Sequence, residues 1–236
     1  MFTMLIIAHL LGDYVFQPTI LVRWKTRSLW GVAAHGGIVT LTTLACASLV
    51  DPGWWHYAAL IGVTHTLIDI VRARLIHTKN TTWELVYYLL DQAIHIGIIA
   101  LAVVLRPASV VGTYVVAVAP KVLTLAVGYL LLLQPAWVLL RFIVRGIWGP
   151  EAAPHLGIGE KYEPMIERVF IASFVLTGQI ALIPLVLLPR RLMAIRVQNN
   201  GMGILMQLTG HWAETLLSVL FATGVGLILR IVIQGG

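Results

Sequence analysis

The sequence predicts an all-α, polytopic transmembrane helix bundle of about six to seven spans. Three observations lead there. Of 236 residues, 59% are hydrophobic and only 11% are charged, where soluble domains carry about 25% charge. Apolar runs near the ~20 residues that a helix needs to cross a bilayer recur along the chain. Short segments rich in Pro, Gly, Arg and Lys separate them, and the basic residues gather beside the apolar runs, as in membrane proteins.

The first span covers Phe2–Phe16; Gln17-Pro18 closes it, and Arg23, Lys25 and Arg27 follow in a basic loop. Its short length predicts a tilted helix or one sheltered by neighbours. The second covers Leu29–Val50 and stops at Asp51-Pro52-Gly53, since proline and glycine there cannot continue a helix. The third covers Trp54–Val71, with Arg72, Arg74 and Lys79 after it, and the fourth covers Trp83–Leu105, ended by Arg106-Pro107. The apolar stretch Val110–Val144 is too long for one plain span, and Pro120 and Pro135 are positioned to kink or split it. Gly146–Glu163 is the longest polar connection. A further span is expected over Pro164–Leu188, a short interfacial piece over Leu192–Gly203, and a last span over Ile204–Ile233. The chain thus divides into a four-span half, 1–108, and a supporting half, 109–236, with the polar connection at about 146–163.

The loops after the first and third spans each hold three Lys or Arg, which predicts that they are cytoplasmic and that the N-terminus is outside. Arg190, Arg191 and Arg196 run against that rule in the second half. The net charge of +6 does not indicate nucleic acid, because the basic residues lie in these short juxtamembrane clusters. The lone Cys46 lies in an apolar run and excludes a disulfide framework. The N-terminus lacks a basic start, and His9 and Asp13 interrupt its apolar run, so a removable signal peptide is not expected. A multi-pass protein of the bacterial cytoplasmic (inner) membrane, with membrane lipid as its surroundings, is the expectation.

Three apolar stretches carry a histidine and an aspartate four residues apart: His9 and Asp13, His65 and Asp69, and Asp91 and His95. On a helix each pair projects from one face. His35 stands alone in a similar stretch, among the small residues Ala33, Ala34, Gly36 and Gly37. Ionisable groups inside a membrane are costly and mark function. Counted from the span ends at 1.5 Å per residue, all of them fall roughly 5–18 Å from the cytoplasmic surface. Antiparallel spans are free to scatter such residues between leaflets, so a common depth points to one shared site. Imidazole and carboxylate are ligands for zinc first, and also for iron or manganese. The competing reading is that each His–Asp pair satisfies itself by a hydrogen bond, or holds helices together.

The remaining candidates carry less chemistry. His56 and His77 are expected at the interface and His155 in solvent, while His211 and Glu214 share a face of the last span. Glu167-Arg168 reads as an interfacial ion pair. Trp24, Trp30, Trp54, Trp55, Trp83 and Trp148 cluster near span ends, as an aromatic belt does.

The stretches AHLLGDYVFQP, AAHGG, VTHTLIDIVRAR and LLDQAIHI, all in the first hundred residues, resemble the bacterial membrane family catalogued as domain of unknown function 3307. His9, Gly12, Asp13, Gln17, His35, His65, Asp69, Asp91, Gln92 and His95 stand where that family's motif has them. In the second half, Glu167-Arg168, Arg190-Arg191 and Thr215-Leu216-Leu217-Ser218 are similar to further family motifs, but Glu214 and Thr209 depart from them. By pattern, the His/Asp helices are also similar to a membrane family labelled metal-dependent inner-membrane hydrolases, and an enzyme reading drawn from that likeness is analogy.

The leading expectation is a metal-dependent hydrolase. His65, Asp69, Asp91 and His95 hold one divalent ion or two, and His9, Asp13 and His35 complete the set. Asp13 serves as general base, while Gln17 and Gln92 bind substrate or orient ligands. A lipid-like amphiphile reaches such a site sideways from the cytoplasmic leaflet. The alternative is a transporter that moves protons or metal through the same cluster. No inverted repeat supports it. Bis-histidine haem ranks last, because haem does not need three aspartates. The HExxH metalloprotease motif is absent.

Overall fold

The computed structural model describes residues 1–75, 81–106, 120–153, 161–188 and 203–235. His77, Lys79, His155, Arg190, Arg191, Arg196 and nearly all of the expected interfacial piece lie outside the described residues. The described residues are helical, with no strand among them. In chain order the helices are α1 (Phe2–Leu10), α2 (Thr19–Lys25), α3 (Leu29–Ser48), α4 (Trp55–Leu75), α5 (Thr81–Leu105), α6 (Pro120–Leu132), α7 (Gln134–Trp148), α8 (Tyr162–Thr177), α9 (183–188) and α10 (Gly203–Gln234). They form two compact units, Met1–Lys79 with Val86–Leu130, and Asn80–Leu85 with Leu131–Gly236.

In the first unit, α3 and α4 pack antiparallel and most extensively. Four residues explain how closely they approach. An added Cβ on Gly36 of α3 would lie 1.9 Å from Thr66 Oγ1 of α4, and one on Gly62 of α4 would lie 1.9 Å from Thr40 Oγ1 of α3. Each threonine hydroxyl donates to the carbonyl of the glycine on its own helix, Thr40 to Gly36 at 2.7 Å and Thr66 to Gly62 at 2.8 Å. Small residues facing each other in this reciprocal way let two backbones come close. At the α3–α4 turn Asp51 accepts from the Gly53 amide at 2.8 Å, and Arg106 at the end of α5 donates to the Gly53 carbonyl. Trp54, expected in the aromatic belt, is instead fully buried against Leu5, Ala47 and Ile61.

The burial pattern is inverted relative to a soluble protein. On α5 the covered face is Tyr88, Asp91, His95, Ile99 and Ala102, while Leu89, Leu90, Ile94 and Leu101 are exposed. On α4, His65 and Asp69 are buried, while Val63, Leu67 and Val71 are exposed. Polar groups inside and leucine outside is the arrangement that lipid requires.

In the second unit a break at Leu133 separates α6 from α7, with Pro135 in the first turn of α7. Arg168 of α8, expected at the interface, is fully buried. Its guanidinium donates to the carbonyls of Leu132 and Leu133, at 2.7 and 3.3 Å, and to Ser218 Oγ at 3.2 Å. It thereby caps the chain at the helix break, where the Leu133 carbonyl also accepts from the Trp137 amide at 3.2 Å. The span expected over Pro164–Leu188 is interrupted at Gly178, whose φ of 80° ends α8 in the left-handed conformation. Glu214 lies 3.7 Å from Arg141, and Glu84 3.4 Å from Arg145.

Three helices are long and apolar enough to cross a membrane: α3, α5 and residues 210–234 of α10. The count reaches five if Phe2–Val15 with Thr19–Lys25, and α6 with α7, each form one broken span. That is fewer than the six to seven read from the sequence. The difference falls on α4, whose 21 residues include His65, Asp69, Arg72 and Arg74, and on α8, which Gly178 ends after 16.

Candidate metal centre

All ten residues of the motif lie in the first unit, and local backbone features bring them together. After α1 the chain widens into a π-helical turn, Leu11–Val15, closed by the Phe16 amide on the Leu11 carbonyl at 2.7 Å. Such turns recur at functional sites. This one leaves Gly12, Asp13 and Tyr14 buried, and Gly12 lies flat against Val39 of α3. Pro18, in extended conformation, then turns the chain by 86° into α2. Ser28 caps α3 by accepting from the Trp30 amide at 3.2 Å.

Four ligand-type atoms from the π-turn, α3 and α4 converge. His35 Nε2 lies 3.1 Å from Asp13 Oδ1, 3.2 Å from His65 Nε2 and 3.4 Å from Asp69 Oδ2. His65 Nε2 lies 3.7 Å from Asp69 Oδ2 and 3.8 Å from Asp13 Oδ1. One imidazole N–H serves at most one of three lone-pair atoms facing it. The edge of a tetrahedral site with zinc bonds of about 2.05 Å is about 3.3 Å, close to these five separations.

α5 supplies the other half. The His95 ring stacks on His65 at 4.2 Å between centroids and lies 5.6 Å from His9. Both ring nitrogens of His95 and Oδ1 of Asp91 are buried without a hydrogen-bond partner among the described residues. A buried polar atom with nothing to bond is costly, and a cation is what such a set accepts. Three groups place their ligand atoms within 4.8 Å of one another: His9, Asp13 and His95; Asp13, His35 and His65; and His65, Asp69 and His95. Because Asp13, His65 and His95 each belong to two of these groups, the buried cluster can hold a metal ion at overlapping positions.

On α4 and α5 the pairing within the helix is not the pairing that forms. His65 to Asp69 and His95 to Asp91, both four apart, measure 3.7 and 3.8 Å, beyond hydrogen-bond distance. The short histidine–carboxylate contacts run between elements, so these aspartates are not spent on the histidines of their own helix.

Both glutamines of the motif touch the cluster. Gln92 lies 3.2 Å from His9 Nε2 and donates to Asp13 Oδ2 at 3.3 Å and to Asp91 Oδ2 at 3.0 Å. Gln17 lies beside His35; with its nitrogen on the Asp13 backbone carbonyl at 2.8 Å, its oxygen accepts from Lys25 Nζ at 2.6 Å.

Four further residues were not singled out by the sequence. Lys25 donates to Asp69 Oδ2 at 3.1 Å, and Arg72 to Asp91 Oδ2 at 2.7 Å. Tyr14 and Tyr88 share a buried hydroxyl–hydroxyl bond of 2.8 Å. Arg72 follows Asp69 by three residues and Tyr88 precedes Asp91 by three, so helical spacing would have put both on the site face. Nothing local signals Lys25, whose approach depends on the turn at Pro18. A small cavity adjoins His9, His65 and His95 and is otherwise walled by residues such as Val39, Ile61 and Ile99, with Thr43 and Thr64.

No curated protein and no solved structure matches the chain. One family model, described as "Protein of unknown function (DUF3307)", matches residues 1–122, a stretch that includes every residue of this centre. As that match covers more than half of the 236 residues, the chain belongs to this family.

Proposed function

We propose that this protein is an intramembrane metal-dependent hydrolase, acting on a lipid-like amphiphile near the cytoplasmic leaflet of a bacterial inner membrane. The observation that carries the reading is the convergence of Asp13, His35, His65 and Asp69 across three elements, beside a His95 whose ring has no hydrogen-bond partner among the described residues. His9, Asp13, His35, His65, Asp69, Asp91 and His95 would hold one divalent ion or two, zinc first and iron or manganese next. Such an ion supplies Lewis-acid polarisation of a carbonyl or phosphoryl oxygen and a more acidic water.

The aspartates are not equivalent. Asp69 has Lys25 and Asp91 has Arg72 as cationic partner, whereas the bonds to Asp13 come from His35 and Gln92. Asp13 is therefore the carboxylate that takes a proton from water. Gln92 holds the Asp13 and Asp91 carboxylates, and Gln17 ties the Asp13 backbone to Lys25. The reading includes α4 as a span, since 21 residues extend about 31 Å at 1.5 Å each, enough for a hydrocarbon core of about 30 Å. With α4, and with α8 continued through α9, the bundle reaches six to seven spans.

Translocation of protons or metal is the second reading, and the cavity beside His9, His65 and His95 favours it. Its walls include residues that follow His35 and His95 and precede His65, away from the helix ends bearing Lys25 and Arg72.

The test uses purified full-length protein in micelles, where no gradient exists. Wild type is expected to carry about one or two divalent ions and to turn over a lipid-like ester or phosphate. Asp13→Asn is expected to lower turnover by about 100-fold or more with little loss of folded protein. Solute or ion flux in sealed vesicles, with no hydrolysis across a broad lipid panel, would replace the hydrolase by the transporter.

A further inference from the structure

Two cations stand at the centre, and the site as read above does not need both of them as ligand partners once it is loaded. Lys25 ends α2, and Arg72 lies on α4 one turn beyond Asp69. Their side chains are 20% and 32% exposed, while the carboxylates that they reach, Asp69 and Asp91, are 4% and 5% exposed. The cations are thus the outward-facing layer of a buried anionic cluster. The charge balance changes sign on loading. Three carboxylates against two cations leave one negative charge when the imidazoles are neutral. A divalent ion turns this into one positive charge, and it competes with Lys25 for Asp69 and with Arg72 for Asp91.

Lys25 also sits on a short helix with an unusual outer surface. Ile20 and Trp24 are exposed on α2 at 77% and 48%, and Trp30 follows at 78%. Exposed tryptophan and isoleucine beside a lysine, on a helix turned 86° from α1, match the composition of an element lying at the level of lipid headgroups.

We infer that Lys25 and Arg72 recognise the phosphate of a phosphate-bearing amphiphile at the mouth of the metal-loaded centre. This rests on the hydrolase reading for its metal, and adds the substrate class. Arg72 offers a planar fork suited to phosphate oxygens and Lys25 a mobile point charge. The exposed side chains of α2 meet the acyl portion.

The experiment measures binding to zinc-loaded, full-length protein in detergent, with three probes: a short-chain phosphatidate, the matching diacylglycerol, and inorganic phosphate. Phosphatidate is expected to bind at least about tenfold more tightly than either other probe, one charge-assisted contact being worth about that factor. Lys25→Gln with Arg72→Gln is expected to abolish this preference without lowering zinc content. Lys25→Arg with Arg72→Lys, which keeps both charges, is expected to retain it in part, and separates loss of charge from loss of fold. Equal binding of diacylglycerol would overturn the inference. So would inorganic phosphate binding as tightly as phosphatidate, which would make the ligand a free oxyanion. A neutralised variant that loses zinc but keeps the preference would overturn it too, by making the two cations structural partners of the aspartates. Hydrolysis is scored separately. Phosphatidate bound in this manner but never cleaved removes the hydrolase and leaves the recognition, whereas a neutral ester cleaved with no phosphate preference does the reverse.

Discussion

Replacing Gly36 by alanine tests the packing that assembles the centre. The added Cβ would lie 1.9 Å from Thr66 Oγ1, 3.0 Å from Thr66 Cβ and 3.2 Å from Thr66 Cγ2. Ordinary contact begins near 3.4 Å. Rotating Thr66 does not clear the clash, because its Cβ is fixed to the α4 backbone and is already too close. It would also break the bond to the Gly62 carbonyl. The two helices must therefore separate, by about 0.4 Å for the Cβ contact alone and by up to about 1.5 Å if Thr66 keeps its rotamer; overpacking of this kind costs about 1–3 kcal/mol.

His35 precedes Gly36 and His65 precedes Thr66, so the histidines move with the clash. The 3.2 Å separation of their Nε2 atoms and the 3.4 Å contact of His35 with Asp69 both cross this helix pair. Metal sites tolerate about 0.2 Å. Metal affinity is expected to fall by about 10- to 100-fold if most of the cost falls on the site. Elemental analysis and metal titration of the detergent-purified protein read the change. Two controls sharpen it. Gly37→Ala meets no atom within 4 Å and is expected to be silent. Gly36→Ala combined with Thr66→Gly removes the clash and is expected to recover binding, less the cost of about 1 kcal/mol for a helix glycine. Wild-type metal affinity in Gly36→Ala, or no recovery in the double variant, would refute the packing argument.

Two further outcomes follow from contacts away from that helix pair. Gln92→Leu removes the group that touches His9, Asp13 and Asp91 together, so metal affinity is expected to drop by about 10- to 100-fold; an unchanged titration would make Gln92 a substrate contact instead. Arg168→Met leaves the Leu132 and Leu133 carbonyls and Ser218 without its donors. Thermal unfolding in detergent should then report a loss of about 3 kcal/mol with metal content unchanged, and a variant as stable as wild type would deny that Arg168 supports the α6–α7 break.

The sequence was most legible where one residue type does one thing. Gln17-Pro18, Asp51-Pro52-Gly53 and Pro135 each interrupt a helix where proline or glycine predicts it. The four-residue spacing of histidine and aspartate correctly put each pair on one inward face, because that is a property of a single helix. The partners were not legible. His35 meets His65 only because Gly36 and Gly62 let α3 and α4 close on threonine. Such complementarity is a relation between two stretches some thirty residues apart, with no periodicity to betray it. Lys25 and Arg72 were read only as markers of a cytoplasmic loop, because the rule that assigns them counts charge and does not ask where a long side chain ends.

Averaged hydropathy and the six to seven spans read from the sequence differ in the same region for a related reason. Hydropathy averages a helix over all its faces, while lipid tests only the outer one. α4 and α5 share one design, with imidazole and carboxylate inward and aliphatic residues outward. α5 passes as a span because its 25 residues include a long apolar C-terminal half beyond His95. α4 has the same outward Val63, Leu67 and Val71, but His56, Arg72 and Arg74 are added to His65 and Asp69 within 21 residues, and the average falls. A helix that carries two residues of the centre, His65 and Asp69, therefore falls below the averaged threshold. A measure taken over the exposed positions alone would rank α4 beside α5. Accessibility of single cysteines at positions 63, 67 and 71 to a membrane-impermeant thiol reagent separates the two views: protection at all three makes α4 a span, and labelling at the middle position would make it a helix in water.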